Sequence, residues 1–378
     1  MGYKIIVSHD LSDFEQLEVE WDTLVSQSDA WGAALSWTWM NVWLKHFHNT
    51  GELWLLTARD EESDELVGIA PLFKRRNKPK YGFAYTQIEF IGSSHHHENL
   101  EFVIREGEKE KLIPEFITTL MTYKEEWDVL LLSGIADAET CQIIQASGLG
   151  CEQNRRREML SPKIPLPATS DEWFSSLSKN RRKKLRSYPK RMNVEFPGEW
   201  EIRTIRDAEE LDPVFNKLVR YHQGRWEKTG KEGAFHYGEW AEYYRDLMWA
   251  MFDKCWLRLN GLFINDDPVV ILFSFYYRGR AFDYIAGSLP METRIPLGYM
   301  LTRFSIENAI SESMKEYCFM WGGEEYKYSF GAENQTLSAL EIISTPWVRS
   351  MRKGIKFLRS RKRLLYNIMN QQAEQPAR

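Results

Sequence analysis

Cysteine is scarce in this chain of 378 residues, long apolar runs are missing, and so is any excess of positive charge. Cys141, Cys151, Cys255 and Cys318 are scattered, without C-x-x-C spacing or the density of a secreted disulfide framework, and predict reduced thiols in a cytosol. No window approaches the roughly 20 apolar residues that span a bilayer, so any membrane contact is peripheral. Met1 to Glu20 carries Asp10, Asp13 and several glutamates where a signal peptide needs a basic start and an apolar stretch. With a formal net charge of -5 no global field gathers nucleic acid, and none is expected as a partner. Basic residues cluster only locally, at 179–191 and 349–363. What is present builds cores. Apolar residues at 43% and aromatics at 14%, with 15 Trp, exclude a disordered chain. The length exceeds what one core organises and predicts two domains.

The two halves repeat one order of elements. In the first, a helix pattern over Phe14–Val25 precedes a hairpin from Trp54–Ala58 and Leu66–Phe73, strands near Gln87–Ile91 and Asn99–Ile104, a helix over Lys109–Lys124 and a buried strand from Trp127 to Leu132. In the second, Trp256–Ile264 and Val269–Tyr277 form the hairpin about a turn at Asn265–Pro268, Arg280–Ala286 the next strand, Leu297–Ser313 the helix and Tyr317–Trp321 the last strand. A helix that crosses over to a parallel strand predicts an α+β class, each half a mixed central sheet flanked by helices. The proline-dense stretch Ser161–Pro167 reads as the connector. The expected boundaries are 1–160, 161–345 and a basic tail at 346–378.

A pyrophosphate needs backbone N–H groups at a helix start with little bulk nearby. Thr293-Arg294-Ile295-Pro296-Leu297-Gly298-Tyr299-Met300 follows a strand and opens a helix, with Pro at the helix start and Gly allowing close approach. Its counterpart, Arg105-Glu106-Gly107-Glu108-Lys109-Glu110, is too acidic to welcome phosphates. The anion site is therefore expected in the second half.

Several motifs in order carry a family resemblance: Trp21-Asp22-Thr23-Leu24 with Trp37–Trp43, Leu66–Leu72, Ile91-Gly92-Ser93 with Asn99–Phe102, and Trp127–Leu130. Leu177–Arg186, Tyr221-His222-Gln223-Gly224-Arg225-Trp226 and Trp321–Gly331 continue the series. Over nearly all of residues 10–345 the chain resembles the CelD/BcsL-type GNAT acyltransferases of cellulose and exopolysaccharide synthesis, and its tandem fold resembles FemAB-type transferases that use aminoacyl-tRNA. It departs from the family pattern at His95-His96-His97-Glu98 and at Leu297. The resemblance implies tandem GNAT-like domains, the first degenerate, the second binding acetyl- or acyl-CoA as co-substrate, with direct transfer to an amine or hydroxyl of a small molecule or glycan precursor.

Within that reading Glu325 is the expected base, Tyr326 the acid, and Lys327 the holder of negative charge. Tyr284, Ala286, Arg294, Pro296, Gly298 and Tyr299 are the expected cofactor contacts. His222, Arg225, Trp226, Asp283 and Trp321 are expected to line the acceptor side. Consecutive histidines on an extended segment point to alternate faces, so His95–His97 predict no metal site. Trp347, Met351, Ile355 and Leu358 recur at helical spacing among basic residues. That pattern suits either an interfacial helix at the inner face of an anionic membrane or docking on the protein itself. Two rivals stand beside the acyl-CoA enzyme: an aminoacyl-tRNA-dependent transferase, and a non-catalytic component of a polysaccharide complex.

Overall fold

The computed structural model describes residues 2–78, 83–93, 98–147, 152–153 and 158–351. The first half runs β1 (Tyr3–Ser8), α1 (Leu11–Gln16), α2 (Glu18–Ser26), α3 (Trp37–Phe47), β2 (Glu52–Asp60), β3 (Leu66–Asn77), β4 (Tyr85–Phe90), β5 (Val103–Ile104), α4 (Lys109–Thr122), β6 (Val129–Ile135), α5 (Ala138–Ala146), β7 (Glu152–Gln153) and β8 (Met159–Leu160). The second runs β9 (Lys163–Pro165), α6 (Ser170–Ser176), α7 (Lys179–Glu195), β10 (Trp200–Ile205), α8 (Ala208–Lys228), α9 (Gly238–Asp253), β11 (Leu257–Ile264), β12 (Asp267–Tyr277), β13 (Arg280–Ser288), α10 (Leu297–Ser311), β14 (Glu316–Cys318) and α11 (Glu325–Tyr328). A final strand, β15 (Thr336–Ile343), follows.

Two mixed sheets result, ordered β1-β2-β3-β4-β6-β15-β7 and β10-β11-β12-β13-β14-β9. Each carries one parallel pair, β4 with β6 and β13 with β14, joined through a crossover helix, α4 or α10. The class is α+β, with two mixed sheets in tandem. Local chemistry accounts for the hairpins. Asn265 and Asp266 link β11 to β12 with φ of 51° and 59°, a two-residue turn whose twist matches the strands. In the first half the Asp60 carboxylate accepts the N–H groups of Glu62 and Ser63 at 3.0 Å each, closing a wider turn.

Several expectations need correction. The helix over 14–25 is two helices that meet at Leu17. Of the strand over 99–104 only Val103–Ile104 pairs, and with β3. Its place beside Gly68 and Ile69 is open because β4 takes only Leu72–Asn77 of β3. The strand over 317–321 ends at Cys318, and Met320 at φ 56° turns the chain away. The connector is partly strand, since Lys163–Pro165 pairs with β14. Most consequential is β15. Residues 336–343, expected inside the second domain, pair with β6 of the first sheet and bury Leu337, Ala339, Leu340 and Ile342 there.

An aromatic core joins the halves. Trp39 on α3 meets Phe275 at 5.3 Å and Tyr284 at 5.5 Å, and Phe47 meets Tyr243 of α9 at 5.3 Å. A second core lies on the opposite face of the second sheet, beneath α6, α7 and α10. At the C-terminal end Val348 is buried against Tyr85, Val129 and Leu131, with Met351 beside it. This part of the basic segment docks on the protein, while Ile355, Leu358 and the rest lie outside the described residues. No helix among the described residues is long and apolar enough to cross a membrane.

Candidate active site

β13 and β14 pair only through Arg280–Phe282 and Glu316–Cys318, after which β14 ends and β13 continues to Ser288. The sheet therefore splits at Asp283. A cleft of about 470 Å³ opens there, walled by β12, β13, the loop from Leu289 to Ile295 and the first turns of α10. It brings together six of the residues singled out in the sequence: Arg225, Asp283, Ala286, Gly298, Tyr299 and Tyr326.

Asp283 lies on the cleft floor. Burial pushes its carboxyl up to about 7, against the opposing pull of the Lys327 cation and of Tyr317, whose hydroxyl donates to Oδ2 at 3.3 Å. At neutral pH this carboxyl gains and loses a proton readily, which is what proton transfer requires. Tyr326 sits on the wall. Burial first, then the charges of Asp283 and Glu324, push its hydroxyl well above the ordinary tyrosine range, so it stays protonated and can donate. Arg225, exposed on α8, adds a cation at the rim. At the other end α10 starts with Pro296 as its N-cap and no side-chain cap. A Cβ at Gly298 would meet nothing within 4 Å, so the first turn of α10 faces open space.

A close approach holds the floor in place. A Cβ on Gly287 would stand 2.9 Å from the Leu218 carbonyl oxygen and 3.1 Å from the His222 nitrogen, so β13 and α8 touch through the missing side chain. His222 ties the same elements together. Its Nε2 accepts the Ala234 N–H at 3.2 Å, which leaves Nδ1–H to donate to the Ala286 carbonyl at 2.9 Å. Burial lowers its pKa and favours this neutral form.

Other expected site residues stand elsewhere. Tyr284 projects its ring from the far side of β13 into the aromatic core with Trp39 and Tyr244, so its side chain does not line the cleft. Glu325 is exposed on α11 and does not line the cleft, so the structure does not bring the expected base to it. Lys327 is buried and its ammonium is engaged. It donates to the carbonyls of Met320, Trp321 and Gly322 at 3.0, 3.0 and 2.9 Å and pairs with Glu324 at 2.9 Å. Arg294 is exposed on the loop, and neither it nor Pro296 lines the cleft. Trp226 packs beside His222, and Trp321 is half exposed on the loop that Lys327 pins.

Glu98, named in the sequence only as part of a departure from the family pattern, has a structural role. It is buried, accepts the Ser161 hydroxyl at 2.6 Å and the Trp321 N–H, and so clasps the first half to the loop beside the cleft. Burial pushes it, too, up to about 7. No composition or spacing signal marks it, because its partners are 63 and 223 residues away. His95–His97 lie outside the described residues. In the first half the matching helix end is plugged. Lys109, buried at the start of α4, pairs with Asp137 at 3.0 Å and lies 3.6 Å from both Glu101 and Asp29.

Comparison with known proteins bears on the fold. Residues 179–328 match the family model described as an acetyltransferase (GNAT) domain. The fold is shared with FemX, at 12% identity and TM-score 0.60 over 89% of this chain and 97% of that one. A conserved protein of unknown function from Bacteroides thetaiotaomicron matches at 13% and 0.57 over 90% of this chain and all of its own. The C-terminal domain of a putative lysylphosphatidylglycerol synthetase from Agrobacterium fabrum matches at 8% and 0.52, over 88% and 93%. No curated protein matches the chain in sequence. Residues 179–328 are thus similar to a GNAT acetyltransferase domain, within a two-sheet fold similar to that of FemX.

Proposed function

We propose that this protein is an acyl-CoA-dependent N- or O-acyltransferase that transfers directly, within a ternary complex, in the cleft between β13 and β14. The observation that carries the reading is the placement of a buried, readily titrating Asp283 where the sheet splits, facing the uncapped first turn of α10. A CoA thioester fits these residues: the opening beside Gly298 admits a pyrophosphate, and the free edge of β13 offers backbone groups to the pantetheine arm. When bound, it supplies the activated acyl group. Asp283 takes the proton of the acceptor amine or hydroxyl, Tyr326 steadies the departing thiolate with a hydrogen bond while keeping its own proton, and Arg225 draws in an acceptor of negative charge.

FemX and the lysylphosphatidylglycerol synthetase domain share the fold, and the second name points to a membrane lipid. With the resemblance to exopolysaccharide acyltransferases, this supports an acceptor from the cell envelope. The likeness to FemX also keeps an aminoacyl-tRNA donor as the second reading. Isothermal titration with acetyl-CoA and a longer acyl-CoA separates the two. Binding by the wild type that is lost in Gly298→Glu, where a carboxylate enters the phosphate opening, is the expected result. No binding of either thioester by folded protein would remove the acyl-CoA reading and promote the tRNA one.

A further inference from the structure

Helix α7 carries Lys179, Arg181, Arg182, Lys183, Lys184, Arg186, Lys190 and Arg191, and among the described residues none of the eight pairs with a carboxylate. A second cavity, of about 310 Å³, lies against it, lined by Ser178, Asn180, Arg181, Lys184, Tyr328 and Ser329 among others. The backbone at this helix end is already served, since the Ser178 hydroxyl accepts the Arg181 N–H at 3.3 Å. What the cavity offers is side-chain charge. Arg181 lies with its guanidinium over the ring of Tyr299 at 4.7 Å and of Phe330 at 5.5 Å. Stacking occupies the face of the guanidinium and fixes its plane, and leaves its N–H edge, a fork matched to phosphate oxygens, without a protein acceptor. Tyr299, beneath it, also lines the main cleft, so Arg181 stands where the two cavities adjoin.

From this geometry we infer that the cavity is a phosphomonoester subsite, with Arg181 as its oriented fork and Lys184 as a second cation. Resting on the acyl-CoA reading, its ligand is the 3′-phosphate of the CoA donor, the one anionic group of that molecule beyond the pyrophosphate. A phosphate on the acceptor is the other source of the same chemistry.

The test compares CoA with dephospho-CoA by isothermal titration on the wild type, Arg181→Lys and the double variant Arg181→Gln/Lys184→Gln. The melting temperature of each is also followed against inorganic phosphate, with chloride at equal ionic strength as control. The wild type is expected to bind CoA about tenfold more tightly than dephospho-CoA. The double variant should bring that ratio near one while dephospho-CoA binding stays unchanged. Arg181→Lys should recover only part of the preference, because it keeps charge but loses the fork. Phosphate stabilisation that depends on Arg181 and Lys184, without any preference for CoA, assigns the subsite to the acceptor and overturns the CoA assignment. The same stabilisation with no binding of either CoA form leaves the subsite standing and sinks the acyl-CoA reading. Absence of both the preference and the phosphate stabilisation, or a preference that survives in the double variant, overturns the proposal.

Discussion

A carboxyl buried where two parallel strands part loses its hydration, and at Asp283 only one hydroxyl and the Lys327 cation offset that loss. The sign of the resulting pH dependence follows. The folded protein holds this proton up to about pH 7, whereas the unfolded chain releases it near the ordinary value of 3.8. The stability contribution is therefore full below the unfolded value and is lost as pH rises through about 7. Catalysis runs the other way, because a base acts only once it has lost its proton. Transfer should climb about tenfold per pH unit below about 7 and level off above it. Asp283→Asn should cut the rate by roughly 10²-fold or more, leave CoA binding intact, and raise the melting temperature at alkaline pH more than at acid pH. A wild-type profile flat across neutral pH, or an Asn variant of full activity, would remove Asp283 from the chemistry. The expected base, Glu325, should tolerate Gln with little loss, since its side chain is exposed outside the cleft.

Among the elements, β13 is decisive, and its contact with α8 through Gly287 is the part least forgiving of change. Gly287→Ala places a methyl group 2.9 Å from a backbone oxygen, where nothing flexible can yield. A cost of about 1–3 kcal/mol is expected, together with weaker CoA binding as α8 is pushed off the cleft floor. Denaturant unfolding and titration check the two effects, and a variant as stable as wild type would show that β13 and α8 do not press together there. The sequence made the strand, loop and helix of this region legible because each is a local signal: alternation over 280–286, the turn residues Asn265 and Asp266, and Pro296 and Gly298 at the start of α10. Side-chain direction was not legible in the same way. The register of β12 against β13 shifts between Phe273 and Ser274, opposite Tyr284, so simple alternation does not fix which neighbours face the cleft. Lys327 was misread for a related reason. Lysine in a cleft motif suggests charge aimed at a ligand, and only the fold reveals three carbonyls closing on its ammonium.

In the whole molecule the repeat conceals an interlock. Local patterns divide the chain into two similar halves, yet β15 leaves the second to complete the first sheet, and no local signal reports a pairing of residues 336–343 with a strand some two hundred residues earlier. Glu98 binds the halves again, through Ser161 on the connector and the Trp321 N–H. The aromatic contacts of Trp39 and Phe47 fill the interface between them. An interface this apolar, with a strand exchanged across it, merges the core of the first half with one face of the second sheet. The two halves should therefore unfold together. Calorimetry and denaturant titration followed by tryptophan fluorescence are expected to give one transition, with calorimetric and van't Hoff enthalpies in agreement. A chain ending at 335 should lose that transition altogether, because it uncovers the edge of β6 along with the partners of Leu337, Ala339, Leu340 and Ile342. Two separate transitions in the full chain, or a truncated chain that still melts cooperatively and binds CoA, would show instead that the second half stands alone and that the first is dispensable to the site.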